Sequence, residues 1–240
     1  MALANYTDLL NSINSKSGWL HRNDLAEIVP DWVTLCEVTI NKGDLDGLNV
    51  ESLRVGDMET TWDSSSTKPA TTTSGVQTVA LPDDFLEFRS PVFITFQGFR
   101  RELTQRPPSP MSLARRGEVE SIPQTYWITG NNINLDPVPD GGYNITADYY
   151  AKVPSLEANS TNWLMTEAPG VYLYGALAQG LLWLGPEFVN SPRGIGFMQA
   201  FKTSLAQVRR ADIKKRFKNV RMRTDAARMT GPQYSIISGY

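Results

Sequence analysis

The apolar stretch from Pro169 to Gly185 constrains the fold more than any other feature of the sequence. A proline fits the first turn of a helix, where its missing N–H costs no hydrogen bond, and the Gly185-Pro186 pair is typical of a helix end. Apolar or small side chains occupy every face, so we predict burial on all sides, with Tyr174 and Trp183 in the core. Its 17 residues fall short of the roughly 20 that span a bilayer, which favours a soluble core helix.

A long alternating segment precedes this helix. From Tyr143 to Lys152, apolar and polar side chains alternate with the period of two that is typical of a half-buried strand. Similar alternation at Leu53 to Val55 and from Val92 to Phe96 predicts further strands. Gly130-Asn131 lies between two apolar runs and predicts a hairpin. Strands are therefore expected between about residue 50 and residue 150.

Periodic apolar residues predict helices on both sides of the strands. One helix is expected from Thr7 to Asn14, a second starts at Pro30, and a third runs from about Gly196 to Phe217. Met111 to Arg116 allows one or two helical turns. We predict an α+β fold: a helical-bundle core with an inserted antiparallel β-rich region and an extended C-terminal arm. The expected divisions are residues 1–46 and 154–217 for the helical core, 47–153 for the β-rich insertion and 218–240 for the arm.

The charged residues are unevenly distributed along the chain. Residues 202–228 carry ten lysines or arginines against Asp212 and Asp225, a net charge of +8, which leaves −10 for the rest of a chain of net charge −2. Apolar residues become sparse after Phe217, and Gly231-Pro232 separates the basic section from a neutral end. Isoleucines and tyrosines at that end predict contact with another chain. The alternative is a basic solvated helix followed by a loose tail.

The sequence lacks the groupings that catalysis or cofactor binding requires. Cys36 lies on an apolar helix face, where we expect a small buried hydrophobe, and the only histidine, His21, forms no zinc motif with it. A nucleotide-binding glycine loop and a G-x-S-x-G nucleophile motif are both missing. The Asp83-Asp84 pair is better explained as a turn than as a catalytic dyad. We therefore predict no enzymatic activity, no cofactor and no metal. The single cysteine and the lack of a secretory leader favour a cytoplasmic origin.

Short motifs of strand and turn chemistry follow one another between about residue 19 and residue 185. They are Trp19-Leu20-His21-Arg22-Asn23-Asp24-Leu25 with Ile28-Val29-Pro30-Asp31-Trp32; Leu53-Arg54-Val55 with Asp57-Met58-Glu59-Thr60; Leu81-Pro82-Asp83-Asp84-Phe85-Leu86-Glu87; Pro123-Gln124-Thr125-Tyr126-Trp127-Ile128-Thr129-Gly130; and Tyr149-Tyr150-Ala151 with Asn162-Trp163-Leu164 and Tyr172-Leu173-Tyr174-Gly175-Ala176-Leu177. Their order and spacing resemble the head-to-tail adaptor proteins of short-tailed bacteriophages, also called head completion or tail tubular proteins.

The resemblance implies a non-enzymatic structural protein of the virion at the head–tail junction, assembled in the host cytoplasm. Members of that family form a ring, expected to be a dodecamer, between the portal protein and the tail nozzle protein, with tail fibres as further candidate partners. Viral DNA passes through the ring without sequence-specific binding. We expect the C-terminal arm to dock on the portal. The residues expected in that contact are Lys214, Lys215, Arg216, Lys218, Arg221, Arg223, Tyr234, Ile236, Ile237 and Tyr240.

Two other classes of protein remain open at this point. A tail module that binds or cleaves peptidoglycan or carbohydrate would place Trp62, Trp127 and Trp163 together in a groove beside acidic residues. A nucleic-acid-binding protein would use the basic residues of 202–228, although aromatic side chains, which usually stack on bases, are almost missing there.

Overall fold

The computed structural model of the protein describes residues 3–17, 25–43, 49–107 and 120–217. The helices are α1 (Tyr6–Ser17), α2 (Leu25–Lys42), α3 (Leu156–Asn159), α4 (Trp163–Glu167), α5 (Pro169–Leu184), α6 (Pro186–Val189) and α7 (Pro192–Phe217). The strands are β1 (Glu59–Trp62), β2 (Thr78–Ala80), β3 (Phe85–Phe88), β4 (Val92–Phe96), β5 (Phe99–Gln105), β6 (Thr125–Thr129), β7 (Asn132–Asp136) and β8 (Asn144–Ala151). Helices thus flank a β-rich region in sequence, which confirms the α+β class.

The strands within the described ranges form one mixed sheet in the order β1-β8-β4-β5-β6-β7-β2, and β3 also pairs with β8. Most neighbours are antiparallel, but β5 and β6 run parallel, with Thr104 opposite Thr125. The prediction of an antiparallel β-rich region therefore holds for the other strand pairs and is wrong for this one. Residues 106–124 connect these two strands, and a parallel pair requires a crossover connection of about this length.

Strand β8 lies next to the edge strand β1 and pairs with β1, β3 and β4. Its alternation is confirmed: Ile145, Ala147 and Tyr149 are buried, while the residues between them are only partly covered. The predicted hairpin is also confirmed, because β6 and β7 pair in antiparallel register across the Gly130-Asn131 turn.

Two hydrophobic clusters make up the core. One contains side chains of the helices, among them Trp32, Cys36, Tyr172 and Phe201. The other lies on the sheet and contains side chains such as Trp62, Leu81, Ile94 and Ile133. The helices thus pack mainly on one another, and the sheet has its own apolar interior.

The segment from Val50 to Met58 differs from expectation. No strand forms at Leu53 to Val55; both of these side chains pack into the helical cluster, and the first strand starts only at Glu59. The Leu53 N–H donates to the Ile40 carbonyl at the end of α2, 2.8 Å away. This bond ties the segment to a helix, although its alternating sequence resembles a strand.

Helix α5 is buried over most of its length, as predicted. Added Cβ atoms at Gly175 or Gly180 would collide with Phe201 or Trp32, so these glycines permit the close approach of neighbouring side chains. Trp183, in the last turn, is 52% exposed, so its predicted burial in the core is wrong. Tyr174 is partly buried and packs against the helical cluster, so the prediction for this residue is confirmed in part.

Helix boundaries extend beyond the expected ones. Helix α2 starts at Leu25 rather than at the expected Pro30. The proline lies inside the helix, where its missing N–H removes one backbone hydrogen bond. Helix α7 starts at Pro192, before Gly196, because the Ser191 hydroxyl accepts a hydrogen bond from the Gly194 N–H at 3.0 Å. His21, the turns expected at Met111 to Arg116, and the arm from residue 218 lie outside the described residues. No helix of the described ranges is both long and apolar enough to cross a bilayer.

Candidate functional site

The end of helix α7 is held against the start of the sheet by ion pairs. The Arg216 guanidinium lies 2.5 Å from the Glu59 carboxylate and 2.8 Å from that of Asp212, one helical turn earlier. The Lys215 ammonium lies 3.0 Å from Asp57. The last basic turn of α7 therefore contacts two acidic residues that immediately precede or begin β1.

Two of the three carboxylates in this junction, Glu59 and Asp212, have more than one partner. Glu59 also forms an ion pair with Arg89 at 2.8 Å, so its carboxylate pairs with two arginines. Asp212 also accepts a hydrogen bond from the Gly56 backbone N–H at 2.9 Å. The hydrogen bond to Asp212 is the main cause that raises the pKa of Arg216, and the hydrogen bond to Asp57 raises the pKa of Lys215. Both cations therefore stay charged at any physiological pH.

This geometry bears on the residues predicted to dock on a partner. Of the three that the structure describes, Lys214 is exposed, whereas Lys215 and Arg216 are paired within the subunit. The others lie outside the described residues: Lys218, Arg221, Arg223, Tyr234, Ile236, Ile237 and Tyr240. Sequence analysis missed the two acidic partners, Asp57 and Glu59, although both fall in a motif that it singled out.

A cleft of about 470 Å³ lies beside the junction, between α7, the start of α5 and the segment before β1. Its apolar lining includes Val55, Val171, Val208 and Ala211. Acidic side chains stand among these, including the exposed Glu167. The cleft thus offers an apolar floor with acidic groups around it.

Large apolar side chains are exposed at several places in the described part of the chain, including Val76 and Ile195. Phe99 is 76% exposed at the turn between β4 and β5. Trp183 and Leu35 are exposed on α5 and α2. Ile213 and Phe217 are exposed near the end of α7. Single exposed apolar side chains are common on protein surfaces. In an assembly, these positions are also candidate contacts with other chains.

The tryptophans of the alternative carbohydrate site do not form a groove. Trp62 and Trp127 are buried in or near the sheet core, and the Trp62 indole N–H donates to the Lys68 carbonyl at 2.9 Å. Trp163 packs against the helical cluster. Their rings therefore serve packing within this subunit.

Asp83, Asp84 and Cys36 each contact other groups of the subunit or are buried in it. Asp83 pairs with Lys68, and Asp84 accepts a hydrogen bond from the Tyr149 hydroxyl at 3.0 Å. Cys36 is fully buried, and burial raises the pKa of its thiol. No group of three histidine, cysteine, aspartate or glutamate side chains suited to a metal ion occurs within the described ranges.

The sequence profile of the SU10 adaptor protein family matches residues 4–228 of the chain. The chain belongs to the SU10 adaptor protein family. A comparison with curated proteins finds no match. Family membership indicates a structural adaptor of a bacteriophage, a component of the virion that interacts with other head and tail proteins of the phage. In an adaptor, exposed apolar side chains and the charged end of α7 are suited to such contacts.

Proposed function

We propose that this protein forms the head-to-tail adaptor ring, a dodecamer, that joins the portal protein to the tail nozzle protein in the virion of a short-tailed phage. The observation that carries the proposal is the family match over nearly the whole chain. In this role the protein is not an enzyme. Its partners are further copies of itself, the portal, the nozzle and, as candidates, tail fibres, and it is assembled in the host cytoplasm before it joins the particle.

The division of the chain supports a ring. A closed ring with rotational symmetry needs two different contact surfaces on each subunit. In this chain a helical-bundle core, residues 1–46 and 154–217, would supply one surface, and a β-rich insertion, residues 47–153, would supply the other. The separate hydrophobic clusters of helices and sheet support two parts, although residues 50–58 of the insertion pack in the helical cluster.

The distribution of charge supports the passage of DNA and a separate portal contact. Outside residues 202–228 the chain has a net charge of −10. Basic side chains bind DNA because they displace its counterions. An acidic lumen would not displace them, so DNA would not bind to the channel wall. The basic arm, residues 218–240 with the adjoining turn of α7, is then available for an acidic surface of the portal, a contribution that salt weakens.

The ion pairs at the end of α7 limit which basic residues can contact the portal directly. Because Lys215 and Arg216 already pair with Asp57 and Glu59, their role in docking is to fix the point where the arm leaves the subunit. The cations beyond Phe217 would then make the direct contacts with the portal.

A truncated chain tests the proposal. A chain of residues 1–216 should keep its circular dichroism and its thermal transition but no longer cap portal rings in negative-stain images. A chain of residues 1–231, which keeps the basic section and lacks the neutral end, is the matched control and should retain part of the binding at low salt. Normal capping by the 1–216 chain in moderate salt would contradict the arm's role.

A zymogram on bacterial cell walls tests the non-enzymatic character. We expect no clearing by the full chain. Clearing that disappears in an Asp84→Ala variant would instead favour a peptidoglycan-cleaving tail module.

A further inference from the structure

The β4–β5 hairpin presents an aromatic side chain at its tip. Phe96 and Phe99 face each other at the end of the hairpin, and Gln97 and Gly98 between them both have positive φ, 47° and 81°. Positive φ at both central residues is the signature of a tight type I′ turn. Phe96 packs on Tyr143 at a ring-centroid distance of 5.6 Å. The tip is therefore anchored on one side, while Phe99 stays 76% exposed.

Register places Phe99 on the core-facing side of its strand. In β5, residues two apart share a face, so Phe99 lies with Arg101 and Leu103. Leu103 pairs with Val92, and both are buried in the sheet core. The apolar face thus continues along Ile94 and Phe96 of β4 to Phe99, which lies mostly in solvent. An aromatic residue on the apolar face of a rigid turn is suited to act as an anchor in another chain.

The cleft beside α7 has the matching properties. Its volume of about 470 Å³ and its valine-rich floor suit an aromatic side chain. Asp57 and Asp212 in its wall are already paired with Lys215 and Arg216. Glu167, in contrast, is exposed at the end of α4, where its charge interacts with Lys215 through the electrostatic field. The cleft therefore offers an acidic group next to an apolar floor.

We propose that Phe99 of one subunit inserts into the α7 cleft of a second copy of this chain, with Arg101 beside Glu167 of that copy. The inference rests on the proposed ring and identifies one of its contacts. Charge decides the occupant: the exposed Arg101 follows Phe99 on the same strand face, and the cleft presents the exposed carboxylate of Glu167. Tip and cleft occur on the same chain but are different surfaces, which is the arrangement that a head-to-tail contact requires.

Cysteine crosslinking in the full chain tests the contact. Phe99→Cys and Ala211→Cys place thiols on the tip and in the cleft wall, and the native Cys36 is fully buried, so it does not compete. Chains with one substitution each, co-expressed with portal protein, should give covalent dimers under mild oxidation. The doubly substituted chain should give a ladder of higher multimers. The matched control combines Ala211→Cys with Val76→Cys, a thiol at another exposed apolar position. It should give neither covalent dimers nor a ladder of multimers.

Charge reversal tests the same contact independently. Arg101→Glu and Glu167→Arg should each lower the association constant of subunits about tenfold, since each places like charges together. The double variant restores opposite charges at every interface of a head-to-tail ring and should recover association. Failure of the double variant to recover would overturn the pairing.

The outcomes separate this inference from the proposed function. In one outcome the variants cap portal rings but no crosslink forms between Phe99→Cys and Ala211→Cys. This result would overturn the inference and leave the adaptor role intact. A crosslink ladder without portal capping would support the contact and count against the adaptor role. The chain's own terminus is the competing occupant. If Ala211→Cys in a monomeric full chain resists maleimide labelling and the 1–216 chain does not, the terminus fills the cleft and the inference is wrong.

Discussion

The guanidinium of Arg216 lies 2.5 Å from the carboxylate of Glu59 and so joins the last turn of helix α7 to the first residue of the sheet. These residues are distant in sequence, and Glu59 also pairs with Arg89 of the loop after β3. One carboxylate therefore holds together a helix end, a strand start and a loop, at the place from which the C-terminal arm continues.

Replacing Glu59 with glutamine should loosen this junction. Two arginines lose their charged partner in a partly buried place, so we expect a loss of about 1 kcal/mol in the free energy of unfolding, measured with urea. Backbone amides of the last turn of α7 should exchange faster with deuterium. Glu51→Gln is the control, because Glu51 is highly exposed and pairs with Arg209 at 3.4 Å. Equal effects of the two variants would contradict a special role for Glu59.

Replacing Gly175 with alanine should destabilise the helical cluster. The new Cβ would lie 2.8 Å from the Phe201 ring and would overlap the sulfur of Cys36. Overpacking of this kind costs about 1–3 kcal/mol, which outweighs the gain in helix propensity. Gly196→Ala is the control: nothing lies within 4 Å of its Cβ position in α7, so about 0.4–1 kcal/mol should be gained. Thermal unfolding that shifts in the same direction for both variants would refute the close contact at Gly175.

Trp32 and Trp183 should differ in their contribution to stability although their rings are neighbours, with centroids 6.4 Å apart. Trp32 is buried and Trp183 is 52% exposed. Trp32→Ala should cost about 3–5 kcal/mol, as expected for a large core side chain. Trp183→Ala should cost about 1–2 kcal/mol, because much less apolar area leaves the core. Urea unfolding of both variants measures the difference, and a Trp183 cost as large as that of Trp32 would restore the sequence-based expectation of a buried helix end.

Glu37 should make stability depend on pH. Burial raises the pKa of this carboxyl, although it accepts a hydrogen bond from the Leu156 N–H at 2.8 Å. The folded state therefore holds the proton more tightly than the unfolded state. Its contribution is fully present below the ordinary value of 4.5 and is lost as pH rises through the raised pKa. Glu37→Gln, which can still accept that hydrogen bond, should thus gain stability over the natural chain as pH rises.

Thermal unfolding from acid to neutral pH measures this difference. Glu27→Gln is the control at an exposed position on the same helix α2, and its stability should follow that of the natural chain throughout. The stability difference between Glu37→Gln and the natural chain should become more favourable to the variant as pH rises. A difference that becomes less favourable would contradict the prediction.

The local pattern of the sequence determined several elements. The alternation of β8, the β6–β7 hairpin at Gly130-Asn131 and the buried length of α5 all follow from periodicity and turn residues within a few positions of one another. The α+β class follows from the same signals. The family resemblance, carried by motifs between about residue 19 and residue 185, agrees with the family match over residues 4–228. The start of α7 was also readable, since Ser191-Pro192 is a capping signal that our sequence analysis missed.

Only the tertiary structure decided which distant elements meet. The parallel pairing of β5 with β6, the packing of Leu53 on helices and the exposure of Trp183 depend on contacts that no local period encodes. The same holds for the pairing of Arg216 with Glu59, because charges far apart in sequence become partners only when the fold brings their elements together. Apolar periodicity indicates which side chains gain stability from burial. The tertiary arrangement of the whole chain decides whether they are buried within their own subunit.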